Sequence, residues 1–323
     1  GTTKFTTIYS YDSYGRLYTI THPSGIVETK YFKQRGYLSS ISAGGATRWR
    51  ITGMNAFQQI TGGTFGSSLN TTIGYDANGY ISSQSTGTIQ DYSYNFNPAS
   101  GNLTYRQNNK ISNLREDFTY DNLDRLDNVM MGSTVTLDMA YDSNKGTITT
   151  KTDVGTIQYA TSGKPYAIST INPATTLTPT NTQTITYTTF DKINTISENN
   201  YNAALTYGID NERAKMVVQQ GGNHVKTRWY PGPTVMKDSV SGTVTTYTYI
   251  GGDAYTAPCV AIRQGVTAPR YYYLIRDHLG SITHISDSTN APLFEYSYDS
   301  WRRKRNPATW VNYATGSDTS FTS

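Results

Sequence analysis

Charge is scarce in this sequence, and so are cysteine, strong helix formers and long apolar runs. Only 15% of the 323 residues are charged, with 27 Lys and Arg against 23 Asp and Glu. The net charge of +4 is scattered along the chain. A balance this even argues against nucleic acid or an anionic membrane surface as a partner. The single cysteine, Cys259, excludes an internal disulfide framework and any multi-cysteine metal site; its ordinary role is that of a small buried apolar thiol. The four histidines, His22, His224, His278 and His284, show no ligand spacing, so neither metal nor cofactor is expected. No apolar run approaches the roughly 20 residues of a helical membrane span. The opening Thr2-Thr3-Lys4-Phe5-Thr6-Thr7-Ile8 reads as a strand and not as a signal peptide, as if excised from something longer. Ala, Leu, Glu and Lys are too sparse for a helical protein.

What is abundant points the other way. The 28 tyrosines outnumber the 9 Phe and 4 Trp together, among many Thr, Ser, Gly and Asn residues. Disordered chains are poor in aromatic and β-branched residues, so this one should fold, and the composition suits pleated strands joined by tight turns. The fold class expected is all-β.

A short pattern recurs along the chain: aromatics at alternate positions, Asp or Asn, small residues, Gly, then an apolar residue. It is seen in Tyr9-Ser10-Tyr11-Asp12-Ser13-Tyr14-Gly15-Arg16-Leu17 and in Tyr75-Asp76-Ala77-Asn78-Gly79-Tyr80-Ile81. It returns at Tyr92 to Leu103, Tyr120 to Leu126, Tyr141 to Gly146 and Tyr298-Asp299, with degenerate copies at Tyr31 to Leu38, Thr186 to Ile193 and Tyr207 to Arg213. A spacing of about 20 residues lies in the range of repeat proteins. Physically the pattern is strand, turn, return strand. Tyr-x-Tyr puts both rings on one face, Asp accepts from amides two residues on, and Gly supplies positive φ. Thr147 to Thr152 and Thr243 to Tyr249 read as strands between such turns. Tyr in place of Phe implies that the ring hydroxyls meet water or polar partners. The pattern weakens at Asn172 to Pro179, expected as a loop, and again at Tyr230-Pro231-Gly232-Pro233; neither suits a domain linker, so one continuous sheet system is expected.

These repeats resemble the RHS/YD-repeat proteins, which include bacterial rearrangement-hotspot proteins, shell components of insecticidal toxin complexes, and animal teneurins. The segment Tyr271-Tyr272-Tyr273-Leu274-Ile275-Arg276-Asp277-His278-Leu279-Gly280-Ser281, continuing through Ile285-Ser286-Asp287 to Tyr296-Ser297-Tyr298-Asp299-Ser300-Trp301, is similar to the RHS repeat-associated core. The wording looks most like Bacteroidetes members. The resemblance implies a β-sheet that spirals into a hollow cocoon, of which this length would form an incomplete part. It also implies repeats over 1–265, the core motif over 266–310 and a tail over 311–323.

In the family the cocoon encloses a C-terminal effector, often a toxin, and the core acts as an aspartyl autoprotease. Carried over, the protease positions would be Arg276, Asp277 and Asp287; two carboxylates sharing a proton can activate water, and a guanidinium can tune one of them. The commoner role for Asp beside turn residues is a turn cap. The family's cleavage segment is not found before Ser323, so no enzyme activity is expected of the segment as it stands. Gly usually follows Tyr-Asp-x-Trp, whereas Arg302 stands here, which leaves that turn's conformation open. The basic run Arg302 to Arg305 reads as a solvated strand end. Asn70 and Asn102 fit glycosylation sequons of a kind that arises by chance in Thr-rich chains.

The leading expectation is therefore a structural shell segment, secreted or at the cell surface, whose partners are the remainder of its own chain and the effector it packages. Two other readings stand beside it: the autoprotease in the full-length protein, and an adhesion module that binds glycans or surface proteins through tyrosine-rich sheets.

Overall fold

The computed structural model describes residues 4–112, 114–160, 165–173 and 183–313. The repeat's turn has one recurrent geometry, lengthened by a residue at Asn97 and Asp142. At Asp12 the amide donates to the Arg16 carbonyl (2.9 Å) and the Gly15 amide donates back to the Asp12 carbonyl (3.0 Å). Asp12 Oδ1 accepts from the amides of Tyr14 and Arg16, both at 2.9 Å. The same closure recurs at Asp76, Asp121, Asp277 and Asp299. It is a type I turn completed by a left-handed residue that leaves a bulge in the hairpin. The ladders accordingly slip at Ser10/Tyr11, Thr119/Tyr120 and Thr206/Tyr207. Gly15 fills the left-handed position with φ +75°, and elsewhere Asp124, Asp191 and Asn211 do so at +57° to +59°. Asn and Asp tolerate that region better than other L-residues. Arg302, the residue in the place of the usual glycine, also adopts it, at φ +63°, so the turn is kept despite the substitution.

Between turns lie short strands. They are β1 (Ile8–Tyr11), β2 (Leu17–Thr21), β3 (Val27–Phe32), β4 (Leu38–Ala43), β5 (Ala46–Met54), β6 (Ile60–Phe65), β7 (Leu69–Tyr75) and β8 (Ile81–Thr86). Next come β9 (Gln90–Phe96), β10 (Leu103–Asn108), β11 (Leu114–Tyr120), β12 (Leu126–Met131), β13 (Thr134–Tyr141), β14 (Ile148–Lys151), β15 (Gly155–Tyr159) and β16 (Ile168–Pro173). A second series comprises β17 (Thr184–Tyr187), β18 (Ile193–Glu198), β19 (Tyr201–Tyr207), β20 (Arg213–Gln220), β21 (Asn223–Gly232) and β22 (Val235–Val240). It continues with β23 (Thr243–Ile250), β24 (Cys259–Gln264), β25 (Arg270–Arg276), β26 (Ile282–Ser286) and β27 (Pro292–Glu295). Last are β28 (Ser297–Tyr298) and β29 (Lys304–Arg305).

No helix occurs among the described residues. Strand order is chain order: β1 to β16 in one sheet, β17 to β27 in a second, and β28 with β29 in a small hairpin. The single continuous sheet expected from the sequence is thus two. Of the expected loop, Asn172 and Pro173 end β16, and 174–179 lie outside the described residues. The Tyr230 to Pro233 break coincides with a register slip between Trp229 and Gly232 at the end of β21 and with the turn that starts at Pro233.

The tyrosines of the repeat add a tie between hairpins. Tyr120, Tyr141, Tyr159 and Tyr207 donate their hydroxyls to the carbonyls of Leu103, Leu126, Ile148 and Ile193, at 2.6–3.0 Å. In each case the acceptor is the first apolar residue after the preceding turn, beside the bulge where the ladder is interrupted. These are the polar partners that Tyr in place of Phe implied.

The chain divides into two compact units, both discontinuous. The first comprises Gly1–Thr71 and Asn181–Phe294, the second Thr72–Thr180 and Glu295–Ser323. This partition cuts through the core motif. In the first unit, β2 to β6 bury one face against β22 to β25. Ile41, Ala43 and Phe65 are buried on one side, and Ile250, Cys259, Val260 and Tyr273 on the other. The rings of Phe65 and Tyr273 meet at 6.1 Å. Tyr271 and Tyr273, alternate residues of one strand, bring their hydroxyls up to Gly44 and Gly66, both at positive φ, where a Cβ would collide with the ring. Cys259 has no measurable exposure, and burial pushes its thiol up to about 12, in keeping with an inert packing residue. In the second unit, β9 to β15 alternate and bury one face: Tyr92, Tyr94, Arg106, Asn108, Glu116, Phe118, Val129, Leu137, Met139 and Ile157. Residues 295–313 lie across that face.

Candidate functional site

The three residues assigned by resemblance lie along one hairpin. Arg276 ends β25, and its guanidinium donates to the carbonyls of Gly280 (2.8 Å), Ala254 (3.2 Å) and Ala257 (3.3 Å). It is half-buried, and desolvation pulls its pKa down. Asp277 caps the turn that follows, its Oδ1 accepting from the amides of Leu279 and Ser281 at 2.9 Å each. Asp287 follows β26 and caps the next turn, accepting from the Thr289 amide (2.8 Å) and hydroxyl (2.6 Å). Those bonds hold its carboxyl below the usual carboxylate range. Asp277 and Asp287 flank β26, with Ser281 paired to the one and Ser286 adjoining the other. A strand of that length separates the two turns by roughly 15–20 Å. Each carboxylate is therefore fastened in its own turn, and the geometry brings Arg276 and Asp277 together but not Asp287.

The most developed polar constellation lies in the second unit and joins Arg305, from the basic run, to Glu116 and Arg106, which the sequence did not single out. Glu116 projects from β11 on the same face as Phe118, and is 2% exposed. Arg106 on β10 approaches it with Nε at 2.8 Å and Nη2 at 2.7 Å, and also donates to the Tyr298 carbonyl (2.7 Å). Arg305, from β29, pairs with both Glu116 oxygens, the Nη2–Oε2 contact being 3.0 Å, and donates from Nε to Ser297 Oγ (3.0 Å). Trp310 packs on Tyr92 and Tyr94, with Arg305 4.5 Å and Arg106 5.4 Å from its ring. Farther along, Trp301 Nε1 donates to Met139 Sδ (3.3 Å), and Arg303 stands 3.8 Å from Asp153. The basic run is thus corrected: Arg305 is 2% exposed, because Glu116 offers it a paired site that solvent does not need to fill. Burial alone would raise the Glu116 pKa, but Arg106 and Arg305 overcome it and hold the carboxyl below its ordinary value. The arrangement can clamp a segment; it presents no nucleophile.

A parallel cluster fastens the two halves of the first unit. Glu28, 1% exposed, lies 2.7 Å from Lys30 Nζ and 3.3 Å from His22 Nε2, and accepts from the Gly251 amide at 2.9 Å. His22 reaches Thr234 with its other ring nitrogen (3.0 Å). Desolvation opposes ionisation of Glu28, yet His22, Lys30 and Gly251 together keep its pKa depressed. Both clusters had one signal in the sequence. Glu28, Arg106 and Glu116 fall on the inward phase of alternating strands, where a charge demands a partner.

No family model and no curated protein matches the sequence. Solved structures do match. The Tc holotoxin pore of Photorhabdus luminescens, carrying a TccC3 point variant, aligns with a TM-score of 0.77 at 16% identity, over 93% of this chain and 18% of that one. The TcdB2-TccC3-Cdc42 complex gives 0.75 at 15% identity over 94% and 18%. TcdB2-TccC3 without its hypervariable C-terminal region gives 0.74 at 15% over 96% and 19%. This chain spans less than a fifth of the chains it resembles, and at such identity the likeness is one of fold. The chain has an all-β fold of long antiparallel sheets, shared with the aligned part of these Tc toxin chains.

Proposed function

We propose that this chain is a wall segment of an RHS-type shell which, in the full-length protein, encloses and delivers a downstream effector. One observation carries the reading: an array of capped, bulged hairpins in chain order that aligns along 93% of its length with a chain of the Tc holotoxin pore. The chemistry suits a wall. Turns are closed by their own Asp side chains and neighbouring hairpins are tied by tyrosine hydroxyls, so the sheet can extend without a cofactor or a large apolar core. Glu116 and Arg305 hold residues 295–313 on the second unit's sheet and so fix where any following chain departs. In one solved neighbour TccC3 lacks a hypervariable C-terminal region; the effector would take the corresponding place here. A secreted or cell-surface location goes with this reading. It uses Arg276, Asp277 and Asp287 as turn residues and assigns no reaction to the segment.

Limited proteolysis of the full-length protein tests the proposal. The downstream segment should survive protease until the sheet structure is denatured, then be digested at once. Digestion of that segment in the native protein, as fast as when it is expressed alone, would overturn the shell reading.

A further inference from the structure

The first unit carries a cleft of about 680 Å³, beside the Tyr271–Gly44 contact, that neither the candidate site nor the proposed function uses. It opens where three hairpin turns meet: the turn between β2 and β3, the Gly44-Gly45 turn between β4 and β5, and the turn between β24 and β25. Its polar lining is made of hydroxyls and a guanidinium: Ser24, Thr29, Tyr31, Ser42, Tyr271 and Arg263. No carboxylate lines it.

Arg263 is the informative residue. Its Nε is buried, and among the described residues the side chain has neither a hydrogen-bond acceptor at Nε nor an ion-pair partner. A buried donor left without a partner is costly, and a guanidinium is built to bind a carboxylate in the fork geometry. A second arginine, Arg48, lies 3.4 Å from the Tyr271 ring and adds positive charge behind the cleft wall. Glu28, the nearby acid in sequence, is already held by Lys30 and His22. The cleft therefore favours an anion.

The strands around it narrow the choice of ligand. β3, β4, β24 and β25 are each hydrogen-bonded to neighbours on both sides. A peptide could not add to them as an extra strand, the usual way a sheet captures one. What remains is recognition by side-chain hydroxyls, an aromatic ring and one cation, in a volume within the range of small-ligand pockets. Tyr31, 45% exposed, offers an apolar ring face to a sugar.

We propose that this cleft binds an acidic saccharide, with the carboxylate on Arg263 and the sugar hydroxyls on the surrounding Ser, Thr and Tyr side chains. The inference goes beyond a wall function and stands or falls independently of it. The test is calorimetric titration of the intact chain with 3′-sialyllactose and with a hyaluronan tetrasaccharide, which separate a sialate from a uronate. Lactose and an oligoglutamate peptide are the comparators. At least one acidic sugar should bind, with lactose and the peptide each weaker by about tenfold or more. Arg263→Gln should lower the acidic-sugar affinity by a similar factor at unchanged melting temperature, and Arg263→Lys should restore part of it. If Arg263→Gln impairs folding, Tyr31→Ala carries the same test, since its ring is largely outside the packed face. Failure of both acidic sugars to bind, binding unchanged in Arg263→Gln, or equal binding of the peptide would each overturn the proposal.

Discussion

A tyrosine hydroxyl in this protein completes a hydrogen bond that the backbone ladder leaves open. The bulge at each turn interrupts pairing just where Leu103, Leu126, Ile148 and Ile193 begin their strands, and a tyrosine from the next hairpin supplies the donor. Burial raises the pKa of Tyr120 and Tyr141, so the donor proton is retained above the usual phenol range. Tyr141→Phe removes the 2.7 Å bond to the Leu126 carbonyl while keeping the ring beside Arg125, 4.2 Å away. A loss of about 1 kcal/mol in urea unfolding is expected. Asp277 makes a second residue-scale test. Asn55 forms the same cap with its side-chain oxygen, at 3.0 Å to the amides of Phe57 and Gln59. Asp277→Asn should therefore be nearly neutral in thermal unfolding, whereas Asp277→Ala should cost roughly 1 kcal/mol, by analogy with other lost side-chain caps. The Asn variant is then the clean probe of chemistry: any self-cleavage of the full-length protein that it abolished would have to be assigned to the carboxylate and not to the turn.

At the scale of elements, the clamp of residues 295–313 is sensitive to single changes. Removing one member of a buried ion pair leaves the other uncompensated, so Glu116→Gln or Arg305→Met should destabilise the second unit by about 3–5 kcal/mol. Replacing Glu116, Arg106 and Arg305 together by Leu, Met and Met should cost far less, because no buried charge is then left alone. Protease cleavage within 295–313, followed by mass spectrometry, separates these outcomes from general unfolding. The hairpins were legible in the sequence because they are written locally: Asp12 finds its partners within four residues, and Thr243 to Tyr249 alternates without interruption into β23. The clamp was not, because Arg305 lies 189 positions from Glu116 and, beside Arg302, Arg303 and Lys304, looked like one more solvated cation. The split of the core motif between two units was likewise invisible, since Phe294 and Glu295 are consecutive residues of one strand, β27, with no turn between them. Arg302 shows the opposite case: a local rule seemed broken, yet the Asp299 cap over-determines the turn and holds the arginine left-handed.

For the molecule as a whole, the buried carboxylates Glu28, Glu116 and Asp238, all held below their ordinary values, shape the response to acid. Glu28 and Glu116 both ionise below the ordinary value of 4.5 in the folded state. Their contribution to stability is present above 4.5 and is lost as the pH falls through the depressed folded values. Stability should thus be nearly flat from neutrality down to about pH 5 and then drop. Hydrogen exchange resolves the units, and Glu28→Gln should flatten the drop in the first and Glu116→Gln in the second; a drop unchanged in both variants would refute the assignment. The tyrosine ties carry a different consequence. From Tyr120 to Tyr159 consecutive hairpins each bring a donor for their predecessor, and Tyr207 repeats the tie in the second sheet, so such a repeat emerging from the ribosome meets a docking carbonyl already in place. Growth by such a rule has a direction. It also makes these hairpins interchangeable bricks: excising or duplicating a whole one rejoins an orphaned hydroxyl to an equivalent carbonyl, so the length of the array can change in evolution without redesign of the joints.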